Sequence, residues 1–186
     1  MEDYMKKVII IIVLLVVVLA IIIGYSGIFY SVTITEKEIG PFTMILQKHK
    51  GSYYKTGEII DQVNAELKKV VDTTKLAGVG LYYDDPAKVK EENLRSECGF
   101  ILGRTDLAKI GSLKTAFIIK DFKKTLCVMG EFPLRTFLSY MIGPSKVYPK
   151  LGKYANDKKY NVEYSVEIYD MQSKKILYCM PVINKK

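Results

Sequence analysis

Tryptophan is absent from this chain, and histidine occurs once, at His49. A zinc site of His and Cys ligands would therefore need clustered cysteines, and a Ser-His-Asp arrangement has one candidate base with no local motif around it. His49 reads instead as a strand side chain satisfied by hydrogen bonds. Cysteine is scarce as well. Cys98, Cys127 and Cys179 lie far apart and any intramolecular pairing leaves one over, so the spacing is neither a disulfide framework nor a metal pattern. Asn-x-Ser/Thr sequons are missing, as are the GxxxxGK[ST] and GxGxxG loops that cradle phosphates. No cofactor is expected. The lack of sequons and of a disulfide pattern agrees with a domain facing the cytosol.

What the chain does have starts with sixteen consecutive apolar residues, VIIIIVLLVVVLAIII at 8–23. At about 1.5 Å rise per residue such a helix falls slightly short of a hydrocarbon core of roughly 30 Å, and extension through residue 30 closes the gap. A cleavable export signal has a shorter apolar stretch and a small-residue cleavage site, which Gly24-Tyr25-Ser26-Gly27 imitates poorly. Tyr25, Phe29 and Tyr30 suit a membrane interface. The expectation is a permanent bilayer anchor over residues 1–30, followed by one domain over residues 31–186, which is long enough for a single substantial core.

The formal net charge of +8 belongs to that domain, because Lys6 and Lys7 in the first 30 residues are offset by Glu2 and Asp3. Its lysines are scattered, as at Lys68-Lys69, Lys123-Lys124 and Lys158-Lys159, and form no basic arm with interleaved aromatics. A solvated surface near a membrane is expected, with no nucleic-acid partner. The lysines flanking the apolar run favour, two to one, a cytosolic N-terminus and a domain on the far side.

Along the domain, "SVTITEKEI" alternates as a half-buried strand ended by Gly40-Pro41, and "FTMILQKHKG" follows as a second strand. "TGEIIDQVNAELKKVV" places Ile59, Ile60, Val63, Leu67, Val70 and Val71 at helical spacing. "KLAGVGLYYDDP" and "LRSECGFIL" read as strands. The order then recurs with "TLCVMGEFP", a helix over residues 134–157 interrupted around Gly143-Pro144, "YSVEIYDM" and "KILYCMPV". Laying "GLYYDDP" on "VEIYDMQ" matches Tyr83 with Tyr169. A duplicated strand-helix-strand-strand module is the simplest account: an α+β fold with an antiparallel sheet, both helices on one face, and a cleft between the halves.

In the strand at residues 163–170, alternation puts Glu163, Ser165, Glu167 and Tyr169 on one side and Tyr164, Val166 and Ile168 on the other. The first set faces either water or a polar cleft. A carboxylate among tyrosines suits a cationic or hydrogen-bonding organic ligand. The adjacent pairs Tyr53-Tyr54 and Tyr82-Tyr83 each offer one member to such a cleft and one to packing. Asp84-Asp85 before Pro86 is turn chemistry.

Taken in order, "GYSGIFYSV" after an apolar run, "HKGSYYKTGEII", "LYYDDPAKV", "GEFPLRTFLSYMIGPSKVYPKLGKY" and "VEIYDMQSKKILYCMPV" carry a resemblance over residues 31–183. The chain resembles the GyrI-like, or bacterial effector-binding, domain family, and within it a branch of membrane-anchored reticulophagy receptors. The resemblance implies a two-module fold that takes small, often cationic molecules in its central cleft, with a key Glu in the strand that here reads "VEIYD", which is Glu167. It also implies, for some members, a hydrolase working through a cleft carboxylate. For the receptor branch it implies an endoplasmic reticulum anchor with the domain in the cytosol, and autophagosomal ubiquitin-like proteins and an AAA unfoldase as partners. Aromatic-x-x-aliphatic matches to an autophagy-binding motif, Tyr25-Ile28, Phe29-Val32, Phe42-Ile45 and Tyr148-Leu151, all fall in the apolar segment or in predicted structure.

The resulting expectation is a single-pass, membrane-tethered binding module, an adaptor or sensor without chemistry. Glu167, Tyr169 and Tyr83 would line the cleft around a small cationic or aromatic ligand, with Tyr53 and Phe132 as outer candidates. The alternatives are a hydrolase in which Glu167 activates water, and a purely structural domain whose cleft is filled by side chains.

Overall fold

The computed structural model describes residues 1–185; Lys186, the last residue of the expected domain, lies outside the described residues. The apolar run forms α1, Glu2–Tyr25, which no other part of the protein covers. Its 24 residues make it long and apolar enough to cross a membrane. The extra length comes from residues 2–7 at its start and 24–25 at its end, and not from residues 26–30. Ser26 ends the helix, its hydroxyl donating to the Ile23 carbonyl at 2.6 Å, and Gly27 at φ +92° turns the chain into a conformation that a side chain would strain.

The domain contains β1 Ile34–Ile39, β2 Phe42–Lys50, α2 Thr56–Leu67, β3 Gly78–Tyr82 and β4 Arg95–Leu102. There follow α3 Arg104–Leu107, β5 Ile118–Phe122, β6 Thr125–Pro133, α4 Ser139–Asp157, β7 Tyr160–Asn161, β8 Ser165–Asp170, β9 Lys175–Pro181 and β10 Asn184–Lys185. Eight strands form one sheet in the order β1-β6-β9-β8-β3-β4-β2-β5, with every pairing antiparallel, and β7 pairs with β10 apart from it.

This order reads the same from either end. β8 and β3 meet at the centre, flanked by β9 and β4, then β6 and β2, then β1 and β5. β5 was not anticipated from the sequence, and it completes the second copy of the module. Each edge strand pairs with the half it does not lead into: β1 runs through Gly40-Pro41 into β2 yet pairs with β6, whereas β5 runs into β6 yet pairs with β2. Connections this short between opposite edges require a sheet that curls until its edges approach. Phe42 of β2 stacks on Phe122 of β5 with ring centroids 4.8 Å apart.

The curl encloses one core on one face of the sheet, built from residues such as Met44, Leu46, Val79, Leu81, Val166 and Ile168. The other face carries two cores, one per helix. α2 covers Ile45 and Phe100 through Val63 and Leu67, and α4 covers Val128, Phe132 and Ile176 through Val147 and Leu151. Both helices therefore lie on one face, as the repeat predicts.

Two helix boundaries differ from the periodicity. α2 stops at Leu67, short of Val70 and Val71. α4 runs through Pro144 and Pro149 without a break, starting at Ser139 instead of residue 134. Each proline removes one backbone donor, but Gly143, Val147, Leu151 and Ala155 form a buried seam that pins the helix to the sheet, so packing outweighs the lost bonds.

Gly99 of β4 passes so close to β2 that an added Cβ would overlap the backbone carbonyl of Ile45. Because backbone cannot step aside as a flexible side chain can, Gly99→Ala is expected to destabilise the protein by about 3 kcal/mol or more, read by denaturant unfolding of the detergent-solubilised chain. An unchanged midpoint would contradict that close approach.

Candidate functional site: a buried carboxylate under a tyrosine cluster

The central strand pair sets the site. Gly80 of β3 lies opposite Glu167 of β8, and Gly78 opposite Tyr169. Glu167 and Tyr169 point to the helix face, as alternation in the strand predicts, while Val166 and Ile168 enter the enclosed core. The glycines matter because a Cβ on Gly80 would run into the ring of Tyr82, which leans back over it. "GVG" is thus the space into which an aromatic ring folds.

Glu167 is 6% exposed. One carboxylate oxygen accepts from the Tyr148 hydroxyl at 2.6 Å and the other from the Tyr169 hydroxyl at 2.7 Å. Tyr82 lies 2.9 Å from the Tyr169 hydroxyl, and since Tyr169 donates to the carboxylate, Tyr82 donates to Tyr169. The Thr56 hydroxyl lies 3.4 Å from that of Tyr82 but donates to the Tyr53 carbonyl, so with both protons committed elsewhere this contact adds no donor to the chain. The chain of donors runs Tyr82 to Tyr169 to Glu167, met from the other side by Tyr148. No Lys or Arg forms an ion pair with Glu167 among the described residues.

Burial pushes the Glu167 carboxyl above the ordinary range, opposed by the two tyrosine hydrogen bonds. The same burial, reinforced by the neighbouring carboxylate, drives Tyr82, Tyr148 and Tyr169 well above the usual phenol value. All three therefore stay protonated donors. Cys98, on the same face of β4, is pushed up to about 12 chiefly by burial, so it is no thiolate nucleophile at neutral pH. All three cysteines are buried and unpaired, and no group of three His, Cys, Asp or Glu fit for a metal occurs among the described residues.

The sequence candidates separate on this map. Glu167 and Tyr169 come together, and Tyr53 supports them from outside, its ring edge-on to Tyr82 at 4.9 Å and its hydroxyl within reach of the Asp84 and Arg95 carbonyls. Tyr83 borders the wide cleft described below, but its hydroxyl turns to the opposite face of the sheet, where it donates to Glu97 at 2.8 Å beside Lys120. A two-fold axis through the centre of the sheet preserves faces, so the partner of Tyr169 in the repeat is Tyr82, and the expected match of Tyr83 with Tyr169 is one residue out of register. Phe132 is 0% exposed beneath α4, against Gly143 and Tyr30, away from the carboxylate. Of the Tyr82-Tyr83 pair it is Tyr82, not Tyr83, that reaches the cluster, and Tyr148, which the sequence offers only in a motif match, is the other donor. His49 is a strand residue whose ring meets the Ser52 carbonyl, as the sequence suggests; of the Asp84-Asp85 pair, Asp85 makes the expected turn contact, accepting from the Ala87 N–H at 2.9 Å, whereas Asp84 is held by the Arg95 side chain and backbone.

Above the cluster, between α2 and α4, lies a cleft of about 1780 Å³, its floor including Tyr82, Tyr169 and Glu167 and its rim Tyr54, Phe137 and Met141. Enclosed small-molecule pockets are roughly 300–1,000 Å³, so this is an open groove with a narrow anionic floor.

The geometry separates two tyrosines on the same face. Tyr169→Phe removes a donor to a buried carboxylate and is expected to destabilise by about 1.5–3 kcal/mol, whereas Tyr178→Phe removes a buried hydroxyl with no partner and is expected to be neutral or slightly stabilising in denaturant unfolding. Equal effects would contradict the assigned network. The raised carboxyl also has a signed pH consequence. Between the ordinary glutamate value of 4.5 and its folded value, Glu167 holds more proton in the folded than in the unfolded state, so its stabilising effect is complete below that window and is lost as pH rises through it. Glu167→Gln lacks this loss, and its melting temperature should gain on the parent's as pH rises from about 4.5.

No protein-family model matches the chain. It is 29% identical over 154 residues to the testis-expressed protein 264 homolog of Mus musculus, a match covering 78% of this chain and 48% of that protein. It is 27% identical to testis-expressed protein 264 of Homo sapiens, covering 47% of it; the chain spans about half the length of these curated relatives. Among solved structures, the EcmrR C-terminal domain aligns with a TM-score of 0.59 at 16% identity, covering 81% of this chain and 97% of that one. A hydrolase from Listeria innocua aligns at 0.52 and 11% identity, covering 83% and 94%. SAV2435 bound to tetraphenylphosphonium aligns at 0.52 and 11%, covering 81% and 93%. The chain has the GyrI-like fold, preceded by an apolar helix, and is weakly homologous to testis-expressed protein 264.

Proposed function

We propose that this is a membrane-anchored binding module that takes a small organic cation in the cleft over Glu167, acting as an adaptor or sensor without chemistry. One observation carries the reading: a buried carboxylate with two strong hydrogen-bond donors and no counter-charge, at the floor of a tyrosine-walled cleft. A lipophilic cation supplies the missing charge, and aromatic faces add attraction to it. The fold neighbour bound to tetraphenylphosphonium supports this ligand class. α1 would hold the module in the endoplasmic reticulum membrane with residues 31–186 in the cytosol, in line with three unpaired cysteines and the weak homology to testis-expressed protein 264. Autophagosomal and AAA-unfoldase partners belong to the same proposal by resemblance alone. The four aromatic-x-x-aliphatic matches lie at the end of α1, in the packed segment after it, in β2 and in α4, none of them an extended accessible strand.

A second reading has its own observation. The raised Glu167 carboxyl is suited to proton transfer, as in a hydrolase acting on a small organic substrate.

Glu167→Gln removes the charge and, with one acceptor oxygen in place of two, leaves one of the two tyrosines to accept from the new amide N–H instead of donating. Affinity for tetraphenylphosphonium, measured by calorimetry, should fall about tenfold or more with the fold intact. Unchanged affinity overturns the cation reading, and loss of turnover on a p-nitrophenyl ester would move the assignment to the hydrolase.

Orientation has a separate test. In sealed microsomes, added protease should digest the domain of the full chain without detergent; protection lost only on adding detergent would overturn the cytosolic placement.

A further inference from the structure

The chain between α1 and the sheet is not a loose tether. Ser26 and Gly27 are buried, Gly27 packs on the Phe132 ring, and Tyr30 stands edge-on to that ring with centroids 5.7 Å apart. Three basic side chains clamp the same segment. Lys146 donates to the Ile28 carbonyl, Lys150 donates to that of Val32 at 2.9 Å, and Arg135 reaches the Tyr25 carbonyl at 3.4 Å with its guanidinium 5.3 Å over the Tyr25 ring. One end of the domain is thereby set against the end of the apolar helix.

That end is unusual in composition. Phe29 is 83% exposed and Phe137, two residues from Arg135, is 73% exposed. Exposed Met171 lies in the β8–β9 turn, which is tied to the same place by the Leu134 N–H donating to the Lys174 carbonyl at 2.8 Å. Neither Arg135 nor Lys174 has a carboxylate within ion-pair distance among the described residues. The carboxylates at this end are engaged elsewhere: Glu131 pairs with Lys175 at 2.7 Å, and Asp170 accepts from its own turn at Gln172 and Ser173.

We infer that this end of the domain, Phe29, Phe137 and Met171 with Arg135 and Lys174 beside them, seats on the anionic phospholipid headgroups of the bilayer that α1 enters. The inference rests on the anchoring proposed above and adds a docked domain to it. Apolar side chains ringed by unpaired cations are the composition that binds an anionic interface, and continuity with the helix end supplies the position. Phe137 also edges the cleft, so docking sets that edge of it at headgroup level. The repeat supplies an internal contrast. The axis relating the two halves reverses strand direction, so Tyr54, just before α2 as Phe137 is just before α4, is 87% exposed at the opposite end of the sheet.

The lack of tryptophan makes the test direct. Single reporters Val16→Trp, Phe137→Trp and Tyr54→Trp, all at exposed positions, are introduced into the full chain. Each is reconstituted in phosphatidylcholine vesicles containing phosphatidylserine, with bromine on the acyl chains. Docking predicts that Val16→Trp is quenched by deep bromines, that Phe137→Trp shifts to the blue and is quenched by shallow ones, and that Tyr54→Trp keeps a water-exposed spectrum. Quenching at Val16→Trp without any at Phe137→Trp overturns the docking and leaves the anchor standing. No quenching at Val16→Trp overturns the anchor itself. Equal quenching of Phe137→Trp and Tyr54→Trp overturns end-on seating, and undiminished quenching of Phe137→Trp in phosphatidylcholine alone overturns the anionic requirement.

Discussion

A carboxylate held out of water with no cation beside it is the constraint around which this domain is arranged. An isolated buried charge is tolerated only when its lone pairs are filled, and Glu167 meets that demand with hydroxyls drawn from separate elements: Tyr148 from α4, Tyr169 from β8 and, behind it, Tyr82 from β3. No single module supplies them all. β3 belongs to the first half and α4 and β8 to the second, so the cluster exists only when the halves are joined at the β3–β8 pairing. Protonating Glu167 would turn it into a donor and force one tyrosine to yield its place, which couples the charge at the floor of the cleft to the orientation of the whole hydroxyl chain.

The exchange of edge strands explains why that pairing is held so firmly. If β1 and β5 stayed with the strands they lead into, the two halves would share only the β3–β8 ladder. Because each crosses to the other half, the sheet curls and closes a core over the face opposite the helices, with Phe42 on Phe122 near the closure. That buried core lets the helix face remain open at its centre. α2 and α4 each cover their own half and leave the middle strands to the tyrosines, which is the origin of the cleft.

Much of this was legible locally, and the misses share one cause. Alternation in "YSVEIYDM" places Glu167 and Tyr169 on one face, Gly40-Pro41 ends a strand, and the spacing of Ile59, Ile60, Val63 and Leu67 marks a helix, because each signal is contained in a few neighbouring residues. Alternation also says that Tyr82 and Tyr83 part company, yet which of them faces the helices depends on the register of β3 against β8, a contact between residues nearly half the chain apart. Phe132 points to the helix face as an alternating strand allows, but only the close approach of α4 at Gly143 shows that it is sealed there. Tyr148 was hidden by the interruption read around Gly143-Pro144, which made its helix look broken. The seam of Gly143, Val147 and Leu151 was the available signal, since Tyr148 follows Val147 and lands on the flank beside the cleft.

α4 is the element where these constraints meet. One flank carries Tyr148 to the carboxylate, the buried seam lies on Phe132 and Tyr178, and the opposite flank carries Lys146 and Lys150 to the carbonyls of the chain leaving α1. Helical spacing dictates the division: Lys146 and Lys150 are one turn apart on one side, and Tyr148 lies between them in sequence but half a turn round. A helix held on three sides in this way cannot roll to favour one contact without loosening the others. The cleft floor and the end of the apolar helix are therefore parts of one packed body, and the direction in which the cleft faces relative to that helix follows from the same side chains that bury Glu167.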